Sequence, residues 1–359
     1  MRSLVVAALL VAGCASPTVS QDAPAKDDVA DDLVSGKADN SLDWCERWGW
    51  YNDGECDQFC LKPDPDCASD PLGPTPSGRA TRYPIVLVHG FMGTASSPLW
   101  SFYKVADALR ADGNIVIEAD LPAFDAPANR AAILATQIDA TIAHYGKVNI
   151  IAHSQGGLDS RYLISSLGYG DRVASLTTIS SPHRGTAIAD KALGLLPGGL
   201  DATVNGTLRT LGLDVANVNV RAALTAMAEK NAPAFNAANP DRPGVYYQSW
   251  AGVTSKNGVA SSVNLDVCEG KLLIHPDTMD KLGTLLPSLV WTIVGHGVGD
   301  ANDGVATVAS AKHGVFRGCF PADHMDEVGQ VMDTYDTATG WDHLRFYRNM
   351  AFDLAAKGY

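Results

Sequence analysis

Positive charge is scarce in this chain. Its 359 residues include 27 Lys and Arg against 40 Asp and Glu, a formal net charge of -13, with no basic stripe of the kind that tracks a phosphate backbone. Nucleic acid is excluded as a partner on that ground. The acidity is concentrated, because the first 70 residues hold 5 Lys/Arg and 14 Asp/Glu and leave a net of only -4 for the rest. Internal repeats are also missing.

The apolar run at the start, in MRSLVVAALLVAGCAS, is about ten residues long, half of what a bilayer crossing needs. One positive charge before it and small residues after it make residues 1–13 an export signal. Val11–Cys14 (VAGC) is similar to the bacterial lipobox, whose cysteine is lipid-modified and becomes the mature N-terminus. Cys14 is therefore expected to be lipidated, and the protein to be exported and held at the outer membrane or cell surface, or else secreted. Residues 14–40 contain no aromatic side chain and are rich in Asp, Ala and Ser, so they cannot bury enough surface to order themselves and read as an acidic tether.

Residues 41–69 carry four cysteines, Cys45, Cys56, Cys60 and Cys67, the density of a disulfide-stapled mini-module in an oxidising compartment. Two bridges are expected, with the connectivity open. Asp53, Asp57, Asp64 and Asp66 there offer oxygen ligands for Ca²⁺ and read equally as a solvated acidic loop. A Pro/Gly/Ser linker over 70–80 follows.

From 81 to 359 the periodicity is that of one α/β domain. YPIVLVHG, NIVIEADLP, KVNIIAHS, VASLTTISSP, YYQSWAGV and SLVWTIVG read as strands alternating with helices such as ANRAAILATQIDATIAHYG, with GWDHLRFYRNMAFDLAAKG as the last helix. Such alternation signals a mostly parallel sheet covered on both faces. The pattern breaks at about 186–243, where Leu/Ala/Val/Asn-rich helices interrupt the strands. This insertion is a candidate lid, since an aliphatic segment such as ALGLLPGGL can hide an apolar substrate surface from water.

Ser154 lies in VNIIAHSQGGLDSRY, where a buried strand runs through small residues into a helix. That strand-to-helix turn resembles the nucleophile elbow of α/β-hydrolases. An unactivated serine is a poor nucleophile, so acyl transfer also needs a base and a carboxylate to orient that base. YPIVLVHGFMG, VNIIAHSQGGLDSRY, LTTISSPHRGT, and NDGVATVASAKHG with ADHMDEVGQ together resemble the secreted triacylglycerol lipases of Pseudomonas and Burkholderia, bacterial lipase family I.

The resemblance covers Thr81 to the end. It implies an α/β-hydrolase fold with an inserted helical lid, and a serine carboxylic ester hydrolase, foremost a triacylglycerol lipase. The triad it implies is Ser154, Asp303 and His324, with Asp300 as the rival carboxylate, and the N–H groups of Phe91 and Gln155 form the oxyanion hole. It also implies Ca²⁺ held by the carboxylates of Asp326 and Asp280, or Asp277 in place of Asp280, and by the carbonyls of Gln330 and Thr334. A Cys268–Cys319 disulfide, a lipid–water interface as workplace and a dedicated foldase as possible partner belong to the same pattern. One departure is Ala152, where the common Gly-x-Ser-x-Gly elbow has its first glycine; alanine is the smallest substitute, and Gly156 keeps the tighter second position. His153 is expected to brace the elbow. His144, His183, His296, His313 and His343 are expected to be surface or structural residues. A short-chain esterase, a phospholipase, a polyester depolymerase and a non-catalytic lipid-binding surface protein are the alternatives.

Overall fold

The computed structural model describes residues 43–51, 62, 80–93, 101–195, 219–255, 265–271, 280–281, 288–297, 299–329 and 341–359. Cys14, the tether, residues 70–79 of the linker, Cys56, Cys60 and Cys67, Asp53, Asp57, Asp64 and Asp66, residues 196–218 of the insertion, Asp277, Gln330 and Thr334 lie outside them. Of the mini-module, a helix, α1 (Trp44–Trp48), is described; Asp43 caps it by accepting the Glu46 N–H at 2.9 Å. Cys45 is disulfide-bonded.

Apolar β-branched runs supply the sheet. Six strands, β1 (Ile85–Val88), β2 (Val116–Glu118), β3 (Val148–His153), β4 (Val173–Ile179), β5 (Tyr246–Gly252) and a last strand at Val315–Phe320, pair side by side in the order β2-β1-β3-β4-β5-last. Every pair is parallel. A parallel sheet needs helices on both faces, and the side chains of β1 divide accordingly. Ile85 and Leu87 join Val105, Leu109, Phe346, Tyr347 and Met350 on one face. Val86 and Val88 join Leu134, Ile138, Leu163 and Ile164 on the other. The first group comes from α2 (Val105–Ala111) and the C-terminal helix His343–Ala356; the second comes from α3 (Pro127–Tyr145) and α4 (Gln155–Ser165).

Between β4 and β5 the insertion contributes α5 (Ala187–Leu195), α6 (Val220–Met227) and α7 (Ala232–Ala238). Ala189, Met227 and Ala228 are buried with Leu158 of α4, against half-buried Phe91 and Leu224. The insertion therefore rests on the loop after β1 and on the helix after β3. A second small parallel pair joins β6 (Thr254–Ser255) to β7 (Asp280–Lys281).

One expected strand is a helix. SLVWTIVG, read as a strand, forms α8 (Ser288–Val294). An apolar run this short carries no decisive period, and burial settles the matter: Trp291 (6 % exposed) and Val294 (1 %), three apart, face the core while Leu289 (69 %) faces solvent, the spacing of a helix face. The Trp291 indole N–H donates to the Thr254 carbonyl at 3.1 Å and fixes that face. The sheet's sixth strand is instead VFRGCF, β8 (Val315–Phe320), which follows the short helix α9 (Val308–Ala311). It lies at the sheet edge, where exposed Val315 and Gly318 at φ 145° blur any strand-like alternation. The C-terminal helix, α10, closes the chain.

Candidate active site

β3 runs straight into α4 with Ser154 as the only residue between them, at φ 56° and ψ -130°. Positive φ in a non-glycine residue costs about 1–3 kcal/mol and persists only where the surroundings enforce it. Here they do. The Ser154 N–H donates to the Ile179 carbonyl at 3.0 Å, and three glycines leave room that no side chain could share. A Cβ on Gly90 would stand 2.5 Å from Ser154 Cβ, one on Gly156 2.4 Å from the Val88 carbonyl oxygen, and one on Gly157 2.0 Å from Ser181 Oγ. Ala152, where the common pattern has glycine, is fully buried in the strand pointing to the α3/α4 face and is accommodated there.

The loop after α8 carries Asp303, and the segment after β8 carries His324. His324 Nδ1 faces Asp303 Oδ2 at 2.6 Å, and Asp303 Oδ1 accepts the N–H groups of Val305 and Ala306, both at 2.7 Å. The backbone adds a further tie, the His324 N–H to the Asp303 carbonyl at 2.9 Å. Burial alone would push the Asp303 carboxyl up; the His324 imidazole and the Ala306 N–H outweigh it and hold the group below its usual range. The carboxylate therefore stays charged and fixes the imidazole with Nε2 available as an acceptor. The rival, Asp300, is instead an exposed partner of His296 Nδ1 at 3.0 Å.

The Cys268–Cys319 bridge is present, with sulfurs 2.01 Å apart. It ties the turn at Asp266–Cys268 to β8, with Cys319 five residues before His324. Gln155 is the first residue of α4, so its N–H is one of those a helix leaves without an internal partner. Phe91 follows Gly90 directly beside Ser154. The ring of Phe91 stands edge-on to Phe124 at 4.9 Å.

Three buried residues near these atoms escaped the sequence reading. His89 accepts the Leu121 N–H at Nε2 (3.2 Å), so the neutral ring carries its proton on Nδ1 and donates it to the Gly90 carbonyl (3.0 Å). Burial, with Arg130 nearby, lowers its pKa to about 3. Arg130 sits fully buried on the apolar face of α3; a cation at the head of the stripe Leu134, Ile138, Ile142 was the available signal. Glu327, also fully buried, faces His153 Nε2 at 3.0 Å, accepts the Ser180 hydroxyl at 2.5 Å and stands 3.9 Å from His324 Nδ1. Desolvation, reinforced by the charge of Asp303, pushes the Glu327 carboxyl well above the usual range. His153 thus braces the elbow as expected, its ring 4.4 Å from that of His324. Burial, with His324 beside it, keeps that ring neutral. Among the described residues, His153, His324 and Glu327 are the one group that geometry alone could offer a metal. His153 Nε2, His324 Nδ1 and both Glu327 oxygens are already engaged with one another and with Asp303 and Ser180.

Residues 83–273 match the family described as alpha/beta hydrolase fold. The chain is an α/β-hydrolase. The triacylglycerol lipase of Pseudomonas fragi is 30 % identical to this α/β-hydrolase over 279 residues, 70 % of the chain and 89 % of the relative. That of Vibrio cholerae is 28 % identical over 306 residues, 77 % and 89 % respectively. Among solved structures, Staphylococcus hyicus lipase superposes with a TM-score of 0.55 at 18 % identity, over 79 % of this α/β-hydrolase and 98 % of that chain. A metagenomic carboxyl esterase superposes with 0.58 at 15 %, over 91 % of each. At these identities the superpositions speak to the fold.

Proposed function

We infer that the protein is a serine carboxylic ester hydrolase of the lipase type, with Ser154 as nucleophile, His324 as base and Asp303 as the orienting carboxylate. The observation that carries the reading is the 2.6 Å His324–Asp303 pair, whose imidazole lies 4.4 Å from the ring of His153, the residue preceding a serine on a buried, positive-φ elbow. Attack by Ser154 Oγ on the ester carbonyl passes its proton to His324 Nε2. The carbonyl oxygen becomes an oxyanion that the N–H groups of Phe91 and Gln155 receive, each such donor contributing about 3 kcal/mol in related enzymes. His324 then protonates the leaving alcohol, and water repeats the sequence on the acyl-enzyme to release the acid. A fluorophosphonate probe tests the assignment: the expected result is one covalent adduct on Ser154, lost in Ser154→Ala. A folded protein that takes no label refutes it.

Lipase relatives from several genera, and an aliphatic insertion resting on Phe91, favour long-chain acylglycerols of the family I kind over soluble esters. Comparing rates on a tributyrin solution and an olive-oil emulsion tests this; equal rates per mole would mark a plain esterase.

Calcium forms part of the same proposal. Asp326 lies half-buried two residues beyond His324, and the backbone of Asp280 pairs with Thr254, whose N–H bonds the Asn302 carbonyl immediately before Asp303. Both residues therefore border, along the backbone, the segments that hold the triad's acid and base. With the carbonyls of Gln330 and Thr334 they make an oxygen-only donor set that suits a hard divalent cation, and a bound ion would tether the His324 segment. Chelation followed by dialysis should lower Tm and activity, and calcium should restore both; unchanged values remove the site. Export with lipidation at Cys14 completes the reading, and an intact mass of the mature protein lacking acyl chains on Cys14 would overturn that part.

A further inference from the structure

A charged residue buried in the apolar face of a helix calls for a reason. Arg130 is fully buried, where the neighbouring positions of α3 are Ala131, Leu134 and Ile138. Its Nε donates to Asp159 Oδ2 at 2.7 Å, its Nη2 to the His89 carbonyl at 2.7 Å and, more distantly, to the Gly90 carbonyl at 3.4 Å, and its Nη1 to the Pro122 carbonyl. Stability alone is a weak explanation, because a buried ion pair is often no better than apolar side chains of similar volume. What distinguishes this site is what the planar fork holds. The Gly90 carbonyl and the Phe91 N–H belong to one peptide unit. Donors on that carbonyl, from Arg130 and from His89 Nδ1 at 3.0 Å, fix the plane of the unit and polarise its N–H, since hydrogen bonds in a chain strengthen one another. Asp159, the other partner, lies one turn along the helix that begins with Gln155.

We propose that Arg130 is a positioning residue for the oxyanion hole: its guanidinium orients the Gly90–Phe91 peptide and, through Asp159, ties that peptide to the helix bearing the second donor. The proposal rests on the reading of Phe91 and Gln155 as oxyanion donors. A preorganised hole is stabilising only when its donors already point at the site where charge develops. Lysine retains the charge but not the fork, because one ammonium cannot span carbonyls on two loops and a carboxylate together.

The test compares parent, Arg130→Lys and Asp159→Asn on a soluble p-nitrophenyl ester, with rates expressed per fluorophosphonate-titrated site so that misfolded protein does not count. Inhibition by an alkylboronic acid, whose tetrahedral serine adduct puts an oxygen in the hole, is measured alongside. Arg130→Lys should lose kcat by about 10² to 10³, the loss seen when one oxyanion donor is removed, with KM unchanged and with boronate affinity falling by the same factor. Asp159→Asn leaves the guanidinium on the carbonyls and should show a smaller loss in the same direction. Parental kcat and boronate affinity per site in Arg130→Lys, even with a lowered Tm, would reduce Arg130 to a purely structural role and overturn the proposal. If Arg130→Lys yields no folded protein, Asp159→Asn decides: a fall in kcat and boronate affinity at constant KM supports the proposal, and parental values overturn it. Failure of the parent itself to take the fluorophosphonate would instead refute the underlying hydrolase reading.

Discussion

Asp303→Asn is a change whose size follows from hydrogen bonds already described. Oδ1 accepts two N–H groups, from Val305 and Ala306, while Oδ2 faces His324 Nδ1. An amide has one accepting end and one donating end. Turning its NH₂ toward Val305 and Ala306 would strip a part-buried and a buried donor of their acceptor, at up to about 1–3 kcal/mol each. The carbonyl therefore stays where Oδ1 was and the NH₂ points at His324. The imidazole must then accept at Nδ1 and carry its proton on Nε2, the tautomer that cannot take a proton from Ser154. Reaching the productive tautomer costs about 2–6 kcal/mol, which is a loss of roughly 30-fold to 10⁴-fold at 1.36 kcal/mol per decade; the upper end matches the loss of about 10⁴ for the corresponding change in a serine protease. The assay is kcat/KM on p-nitrophenyl butyrate, with Tm as the check on folding. Because Glu327 Oε2 stands 3.9 Å from the same nitrogen, the measurement is repeated in Glu327→Gln, which removes that carboxylate as a substitute. A loss of less than threefold in the double variant would refute the tautomer reasoning and the assignment of Asp303 with it.

Other expectations are shorter to state. Gly156→Ala puts a Cβ 2.4 Å from the Val88 carbonyl oxygen and 2.8 Å from that of His89; overpacking against backbone should cost about 1–3 kcal/mol, seen as a lower urea midpoint, and an unchanged midpoint would mean that the elbow has slack. Replacing both Cys268 and Cys319 with alanine opens a closure between residues 51 apart in sequence and should cost about 4 kcal/mol on the chain-entropy model; a loss below 1 kcal/mol would show that the packing alone holds the turn. His296 has its pKa raised, first by its hydrogen bond to Asp300 and then, against a desolvation penalty, by that to Glu229. A raised pKa means that the folded state holds the proton more tightly, so the contribution is complete below the unfolded value of about 6.5 and disappears as pH climbs through the folded one. The Tm gap between parent and His296→Gln should therefore be widest at pH 5–6 and shrink toward pH 9; a gap that does not vary with pH would refute the ionic bridge.

The strand-to-helix turn at Ser154 was legible because its cause is local. Apolar β-branched residues, then small ones, then a helix-compatible segment leave the chain few options, and the NDG and HMDE strings brought Asp303 and His324 with them through the resemblance. Ser288–Val294 was misread because its seven residues satisfy a strand and a buried helix face equally until Trp291 finds the Thr254 carbonyl 37 residues away. β8 went unread for the opposite reason: an edge strand with Arg317 and Gly318 inside it carries too little apolar signal. Arg130 and Glu327 show a further boundary. Their partners, Asp159 at a separation of 29 and His153 at 174, are joined only by the folded topology, and a lone charge beside aliphatic residues gives no hint of which distant carboxylate or imidazole will answer it.

Phe91 works for two masters. Its main chain belongs to the loop that Arg130 and His89 hold still, while its ring is wedged among Phe124, Leu224 and Met227, the last two on the insertion. Any outward swing of the insertion must peel away from that ring while the peptide behind it stays clamped. Were the insertion to open as a lid, the amide proposed to receive the anion would stay on target, and the ring left behind would become fresh oily floor for whatever enters.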